Sequence, residues 1–220
     1  MDIERAPLLE RLDARPVDDH HAATLGQVEV RVLMTNIGMN AGRAAGRRAV
    51  DLGADLVVVV GIAGGVRADQ PIGSLIRPEL VVDRASGWQG RPHPLDHHDP
   101  AGILSCGDDF LTEPGQLRSL AASGVVALDM ESAAVGEVCE SAGRAWSVVR
   151  ALSDRPGDGL IDPEVLAFTA PDGHADPEGL AAYLAADPAR ASRLAELARD
   201  TQLATKAAAD AAIAAIRAFA

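Results

Sequence analysis

Apolar and polar residues alternate through residues 27–35 (QVEVRVLMT), which predicts a half-buried strand. Residues 40–53 are rich in Ala and Arg and end on Gly53, which predicts a helix with a glycine C-cap. Residues 55–60 (DLVVVV) form a continuous run, apolar on both faces after its first residue. That suits a parallel strand covered by helices on each side. The glycine cluster of residues 61–65 follows at once and predicts a turn at that strand's carboxyl end. Further strands are predicted over 74–83, 102–105, 124–128 and 145–152, and helices over 113–122 and 131–141, the latter stopped by Gly143. Residues 84–100 read as a polar loop, and residues 155–176, rich in Pro, Gly and Asp, as partly irregular. Asp187 is placed to cap a terminal helix over 187–220, with Pro188 in its first turn and Leu194, Leu197, Ile213 and Ile216 at roughly helical spacing.

Strands alternating with helices predict an α/β fold: a single domain over residues 1–220 with a mixed, largely parallel central sheet flanked by helices. Composition narrows the function. The chain has 220 residues, 48% of them hydrophobic but only 3% aromatic, so its core is built from aliphatic side chains. A formal net charge of -12 argues against a nucleic-acid partner, because phosphate backbones call for clustered Lys and Arg. Cys106 and Cys139 form no CxxC pair and fit a reducing cytosol as free thiols. The charged segment 1–16 lacks a signal peptide's apolar core, and no run is long enough to span a membrane, so a cytoplasmic protein without membrane insertion is expected.

In such sheets ligands sit beyond the carboxyl ends of strands. Three strand ends carry candidate chemistry. Gly61-Ile62-Ala63-Gly64-Gly65 allows a close backbone approach to a ligand, or is simply a turn. Leu128-Asp129-Met130-Glu131-Ser132 puts two carboxylates around a methionine, able to hold a diol against a soft apolar face. Read alone, it is equally a helix N-terminus capped by Asp129. Arg150-Ala151-Leu152-Ser153-Asp154 places an acid after a buried strand, a candidate general acid or another cap. The His-rich tract over 93–99 (HPLDHHD) fits no metal spacing and reads as a solvated loop. Gly38, Gly42 and Gly46, at every fourth residue, suit close helix packing.

Taken in order, the three strand ends resemble the nucleoside phosphorylase/nucleosidase superfamily over roughly residues 35–154. The likeness is nearest to 5'-methylthioadenosine/S-adenosylhomocysteine nucleosidases. Gly61 to Gly65, Gly107-Asp108-Asp109-Phe110, Asp129-Met130-Glu131 and Arg150 to Asp154 match that group's motifs, and Asn36-Ile37-Gly38 looks like its Gly-Ile-Gly turn. The Asp-Met-Glu-Ser variant, with Pro171-Asp172-Gly173 and the helical tail, is also similar to a hopanoid-associated branch acting on an adenosyl-bearing lipid.

The resemblance implies hydrolysis of a purine N-glycosidic bond in a methylthioadenosine- or adenosylhomocysteine-like nucleoside, without cofactor or metal, by a homodimer. Asp154, positioned by Ser153, would protonate the purine. Phe110 would stack on the base, with Leu111, Ile37, Ala63 and Gly64 also against the substrate. Glu131 would grip the ribose hydroxyls, Met130 would pack under the sugar, and Asp129 would contribute partly through its backbone. Arg150 would orient the attacking water and Glu131. The family's phosphorylases carry phosphate ligands where this chain has Val59 and Ile62, which favours water over phosphate as the nucleophile. The pattern departs from the family at its start. The usual first strand, leading to a water-activating acid, has no counterpart ahead of Glu4. Glu4 is then either the remnant acid or a solvated helix charge, and the sheet is expected to carry an unfilled lane. The alternatives are a catalytically impaired nucleoside-binding protein, a phosphate-dependent purine nucleoside phosphorylase, and a nucleosidase for an adenosyl-hopanoid.

Overall fold

A computed structural model of the chain describes residues 2–95, 99–158, 164–165 and 175–219. Helix α1 (Asp2–Leu12) is followed by a three-stranded antiparallel sheet of β1 (Arg15–Val17), β2 (His20–Leu25) and β3 (Val28–Val32). Then come α2 (Met39–Asp51), β4 (Leu56–Gly65), β5 (Leu75–Ile76), β6 (Leu80–Asp83), β7 (Gln89–Gly90) and β8 (Ile103–Cys106). The chain continues through α3 (Pro114–Ala122), β9 (Val125–Asp129), α4 (Ser132–Ser141), β10 (Ala145–Asp154), α5 (Pro177–Ala186) and α6 (Ala189–Phe219). The seven-stranded sheet runs β5-β10-β4-β9-β8-β6-β7. Its long central pairing, β10 with β4, is parallel, as are β6 with β8 and β8 with β9. The antiparallel pairings lie at the two edges and where β4 meets β9.

Apolar periodicity accounts for the layers. Ala204, Ala208, Ala211, Ala212 and Ala215 form an i, i+4, i+7, i+8, i+11 stripe on α6, and all are buried. Small side chains let this helix lie close against Val149 and Ala151 of β10, and Val58 and Val60 of β4. The other face of the sheet is covered by α2 and α4, through Met39, Val135 and Cys139 packed on Val59, Val148 and Trp146. Both cysteines are buried and unpaired. The Gly42 and Gly46 spacing serves helix packing as read: a Cβ on Gly46 would meet Val138 at 3.3 Å, and one on Gly42 the Glu131 carbonyl oxygen at 2.8 Å.

Three details differ from the sequence reading. Residues 61–65 do not turn; they continue β4, and Gly64 and Gly65 pair with Leu128 and Ala127 of β9. Strands β1 and β2 and helix α5 lie in segments where no element was predicted. Within 84–100, β7 adds a short edge strand. Residues 96–98 of the histidine tract and Pro171-Asp172-Gly173 lie outside the described residues.

The expected lane is present. One edge of β4 is paired with β10 from Leu56 to Gly64, while its other edge meets β9 only at Gly64 and Gly65. Strand β3 is paired with β2 along one edge. Among the described residues no strand stands between β3 and β4. A cavity of about 880 Å³ fills the gap, bordered by residues 27–35 on one side and 52–60 on the other.

Candidate active site

Three strands converge on Gly64. It is level with Asp154 of β10 on one side and with Leu128 of β9 on the other. Beyond that point a cavity of about 440 Å³ opens. The twelve residues given substrate or catalytic roles from the sequence all line it: Glu4, Ile37, Ala63, Gly64, Phe110, Leu111, Asp129, Met130, Glu131, Arg150, Ser153 and Asp154. They come from α1, the segment before α2, β4, the segment after β8, the β9–α4 junction and the end of β10.

One wall is an ion cluster around Arg150. Its guanidinium, 5% exposed, donates through Nε to Asp129 Oδ2 at 2.9 Å and through Nη2 to Glu131 Oε2 at 2.9 Å. Glu4 Oε1 stands 3.7 Å from Nη1. Burial works against the charge on Arg150, but Asp129, Glu131 and Glu4 outweigh it and hold its pKa above the ordinary value. Burial pushes the Glu131 carboxyl up, with the attraction of Arg150 pulling the other way. Asp129 also accepts from the Ser132 hydroxyl and, at 3.4 Å, from its amide. It therefore combines the helix-capping role read in the sequence with an ion pair to Arg150 that the sequence reading did not include.

Glu4 is not a solvated helix charge. Its side chain is 14% exposed, and its carboxylate accepts the Ile62 amide at 3.0 Å. Glycine at 61 makes this possible, because a Cβ there would fall on Glu4 Oε1 and Arg150 Nη1.

The opposite wall holds Asp154. Its carboxyl accepts the Ser153 hydroxyl at 2.6 Å, and no cation pairs with it among the described residues. Burial, reinforced by the charge of Asp158 and opposed by the Ser153 bond, pushes its pKa up to about 6. A Cβ on Gly64 would stand 3.1 Å from Asp154 Oδ2, so that glycine lets the acid lie against the β4 backbone. Met130 and Leu128, on the cavity lining, are apolar, and Phe110 is 41% exposed at the cavity. An acid that holds its proton up to about pH 6 thus faces a carboxylate-rich cluster across an enclosed space. This arrangement can protonate a leaving group on one side and stabilise positive charge on the other.

Sequence reasoning missed several lining residues. Arg84, Arg155 and Asp158 border the cavity from segments whose patterns carry no periodic signal, Thr35 ends the alternating run over 27–35, and Asp109 lies in the motif of residues 107–110 without an assigned role there. Arg84 donates to the Ser105 and Asp109 carbonyls at 3.0 Å and holds the segment that presents Phe110. Gly38, at φ 106°, donates its amide to Glu131 Oε1 at 3.0 Å, and Met39 donates to Asp108 Oδ1 at 2.7 Å. Among the described residues there is no cluster suited to a metal ion.

The phosphorylase superfamily model matches this chain over residues 1–100 and 84–216. A curated 5'-methylthioadenosine/S-adenosylhomocysteine nucleosidase from Marinomonas sp. (strain MWYL1) is 40% identical over 58 residues, 26% of this chain and 25% of that protein. The match thus spans about a quarter of that relative's length. Among solved structures, the Helicobacter pylori nucleosidase of the same name superposes with a TM-score of 0.70 at 17% identity, covering 98% of this chain and 94% of that one. The Neisseria meningitidis nucleosidase gives 0.71 at 14% identity, covering 99% and 96%. Futalosine hydrolase of Helicobacter pylori gives 0.70 at 17% identity, covering 98% and 94%. At these identities the likeness is one of fold.

Proposed function

The chain belongs to the phosphorylase superfamily, and from that premise we propose that it hydrolyses the N-glycosidic bond of an adenine nucleoside of the methylthioadenosine or S-adenosylhomocysteine type. The observation that carries this reading is Asp154: a buried carboxyl, pushed up to about 6, across a 440 Å³ cavity from the Glu131–Arg150–Glu4 cluster.

The chemistry follows from charge. Asp154 gives its proton to a ring nitrogen of the purine, which turns a poor leaving group into a neutral base. The bond from the ribosyl carbon to the base breaks with its electron pair going to the base. Positive charge develops on the sugar beside Glu131, Asp129 and Glu4, three carboxylates to the one guanidinium of Arg150. Glu131 accepts hydrogen bonds from the ribose hydroxyls, Met130 packs under the sugar, and Phe110 stacks on the base. Water adds to the ribosyl carbon, and its proton passes to Glu4, which lies between the Ile62 amide and Arg150.

Water rather than phosphate is supported by the two positions where phosphorylase ligands would stand. Val59 is buried in the core, and Ile62, on the cavity lining, carries an aliphatic side chain packed with Ala151, Ala204 and Ala208. A second reading, nucleoside binding without turnover, is favoured by the open lane beside Glu4. One assay separates these readings. The protein is incubated with methylthioadenosine, adenosylhomocysteine and adenosine, with and without phosphate, and free base is measured. Release that is independent of phosphate supports hydrolysis. Release only with phosphate, forming ribose 1-phosphates, supports phosphorolysis. Binding without release supports the second reading.

A further inference from the structure

Asp154 is followed in the chain by two donors that could favour its ionised form, the amide and the guanidinium of Arg155. The structure gives both to other acceptors. The guanidinium donates through Nη1 to the Gln70 carbonyl at 2.9 Å. Gln70 is itself fixed: it is buried, its side-chain oxygen accepts the Val66 and Arg67 amides, and its Nε2 donates to the Val126 carbonyl. The Arg155 amide donates to Asp158 Oδ2 at 3.1 Å. Pro156 and Gly157, the latter at φ 86°, are the residues that a type II turn calls for at its centre, and they bring Asp158 back against Arg155. The Arg155 nitrogen is about 2.4 Å from the Asp154 Cα across one peptide bond, so the Asp158 oxygen lies within about 5.5 Å of that Cα. Both carboxylates border the cavity of about 440 Å³.

The other neighbours of Asp154 leave this charge standing. Gly64 and Gly65 of β4 bring no side chain to it, β5 pairs with this part of β10 through Leu75 and Ile76, and α6 packs on Ala151 through Ala204 and Ala208. Of the remaining charged groups on the cavity, Glu4, Asp129 and Glu131 surround Arg150 on the opposite wall. Arg84 donates to the Ser105 and Asp109 carbonyls, and Asp109 is a further anion. We infer that Asp158 is a positioning residue for the proton that Asp154 gives to the leaving base. Its carboxylate opposes a second negative charge at Asp154, and its hold on the Arg155 amide keeps the turn that sends the guanidinium to Gln70. Asp154 therefore meets the substrate as an acid and becomes a carboxylate as the base departs. The inference rests on the reading of Asp154 as the proton donor.

Asp158→Asn in the full chain tests this, because Asn still accepts the Arg155 amide but carries no charge. The Asp154 carboxyl is followed by carbon-13 NMR, its signal identified by its loss in Asp154→Asn. In Asp158→Asn its titration midpoint is expected to fall by about one unit, between the effects of a like charge ~6 Å away through water and through a protein interior. Turnover should follow, dropping about tenfold at pH 7 and little at pH 4.5. Asp158→Glu restores the charge, and its midpoint should return at least half way to the parent's. Asp158→Ser, whose hydroxyl also accepts an amide, takes the place of the Asn variant if that one does not fold. The inference is overturned if the uncharged variant titrates as the parent does, if Asp158→Glu titrates with it, or if the midpoint moves and turnover at pH 7 does not. A shifted midpoint in a chain that releases no base at any pH upholds the placement of the two carboxylates and sinks the nucleosidase reading alone.

Discussion

The Ser153 hydroxyl has one hydrogen and two acceptors within reach, the Asp154 carboxyl oxygen at 2.6 Å and the Ala63 carbonyl at 3.4 Å. The nearer bond favours the ionised form of Asp154 and so restrains the upward shift that burial imposes. Ser153→Ala removes that restraint. The pH at which turnover declines is expected to move upward by roughly one to two units, since a hydrogen bond to a charged group is worth roughly 1.5–3 kcal/mol. A pH–rate profile of the variant that coincides with the parent's counts against this coupling.

In the parent, Asp154 acts while protonated, so turnover is expected to fall as pH rises through about 6. Stability has the same sign. The folded pKa lies above the ordinary 3.8, so the folded state holds the proton more tightly between those values. The contribution is full below about pH 4 and lost as pH rises through about 6. Melting midpoints measured between pH 4 and 8 alongside the rate check both limbs.

Asp154→Asn keeps shape and most hydrogen bonding but carries no proton to give. Turnover should drop about 10²- to 10⁴-fold while adenine binding persists. At pH 8 the variant should melt no lower than the parent, because it no longer buries a carboxylate. A lower midpoint with the rate per folded molecule intact would make Asp154 a structural residue instead.

Glu131→Gln retains an oxygen for the Gly38 amide but gives up the charge that faces Arg150. Discrimination against 2'-deoxy substrates should shrink more than affinity for free adenine. Sharp discrimination preserved in the variant would remove the ribose role.

Arg150→Met leaves Asp129, Glu131 and Glu4 together without their cation. Breaking a buried pair costs about 3–5 kcal/mol, so the melting midpoint at pH 8 should fall by roughly 10 °C. The loss should be smaller at pH 5, where the Glu131 carboxyl, pushed up by burial, takes up a proton and the repulsion relaxes. A deficit that is constant with pH would mean that Arg150 acts by packing alone.

Much of this site is legible in the sequence because buried strands announce where they end. The runs ending at Leu128 and Leu152 put Asp129, Glu131, Ser153 and Asp154 at one sheet edge, and an apolar run has one obvious continuation. Glu4 is different. Its partners, the Ile62 amide and Arg150, are remote in the chain, and a charge near a helix start looks the same whether solvated or enclosed. The glycines at 61, 64 and 65 promised a turn by composition, yet they pair as strand; glycine stands at 61 and 64 because a Cβ there would crowd Glu4 and Arg150, or Asp154. Helix α5 had a readable signal. Asp176 followed by Pro177 repeats the Asp187-Pro188 cap, and its carboxylate accepts the Gly179 amide. Strand β1 had none, since all three of its residues are exposed and no face alternates.

The missing side chain at Gly42 has a consequence for accuracy. The Glu131 carbonyl would lie 2.8 Å from any Cβ there, so helix α2 meets the start of α4 as main chain against main chain. Main chain has no rotamers. A carboxylate whose own backbone rests on such a surface, and whose tip is fixed by the Gly38 amide, is indexed to a datum that side-chain motion does not disturb. The tolerance on the position of Glu131 is therefore that of the helix pair and not of a flexible chain end, and a single added methyl at Gly42 would reset the datum for the whole cluster.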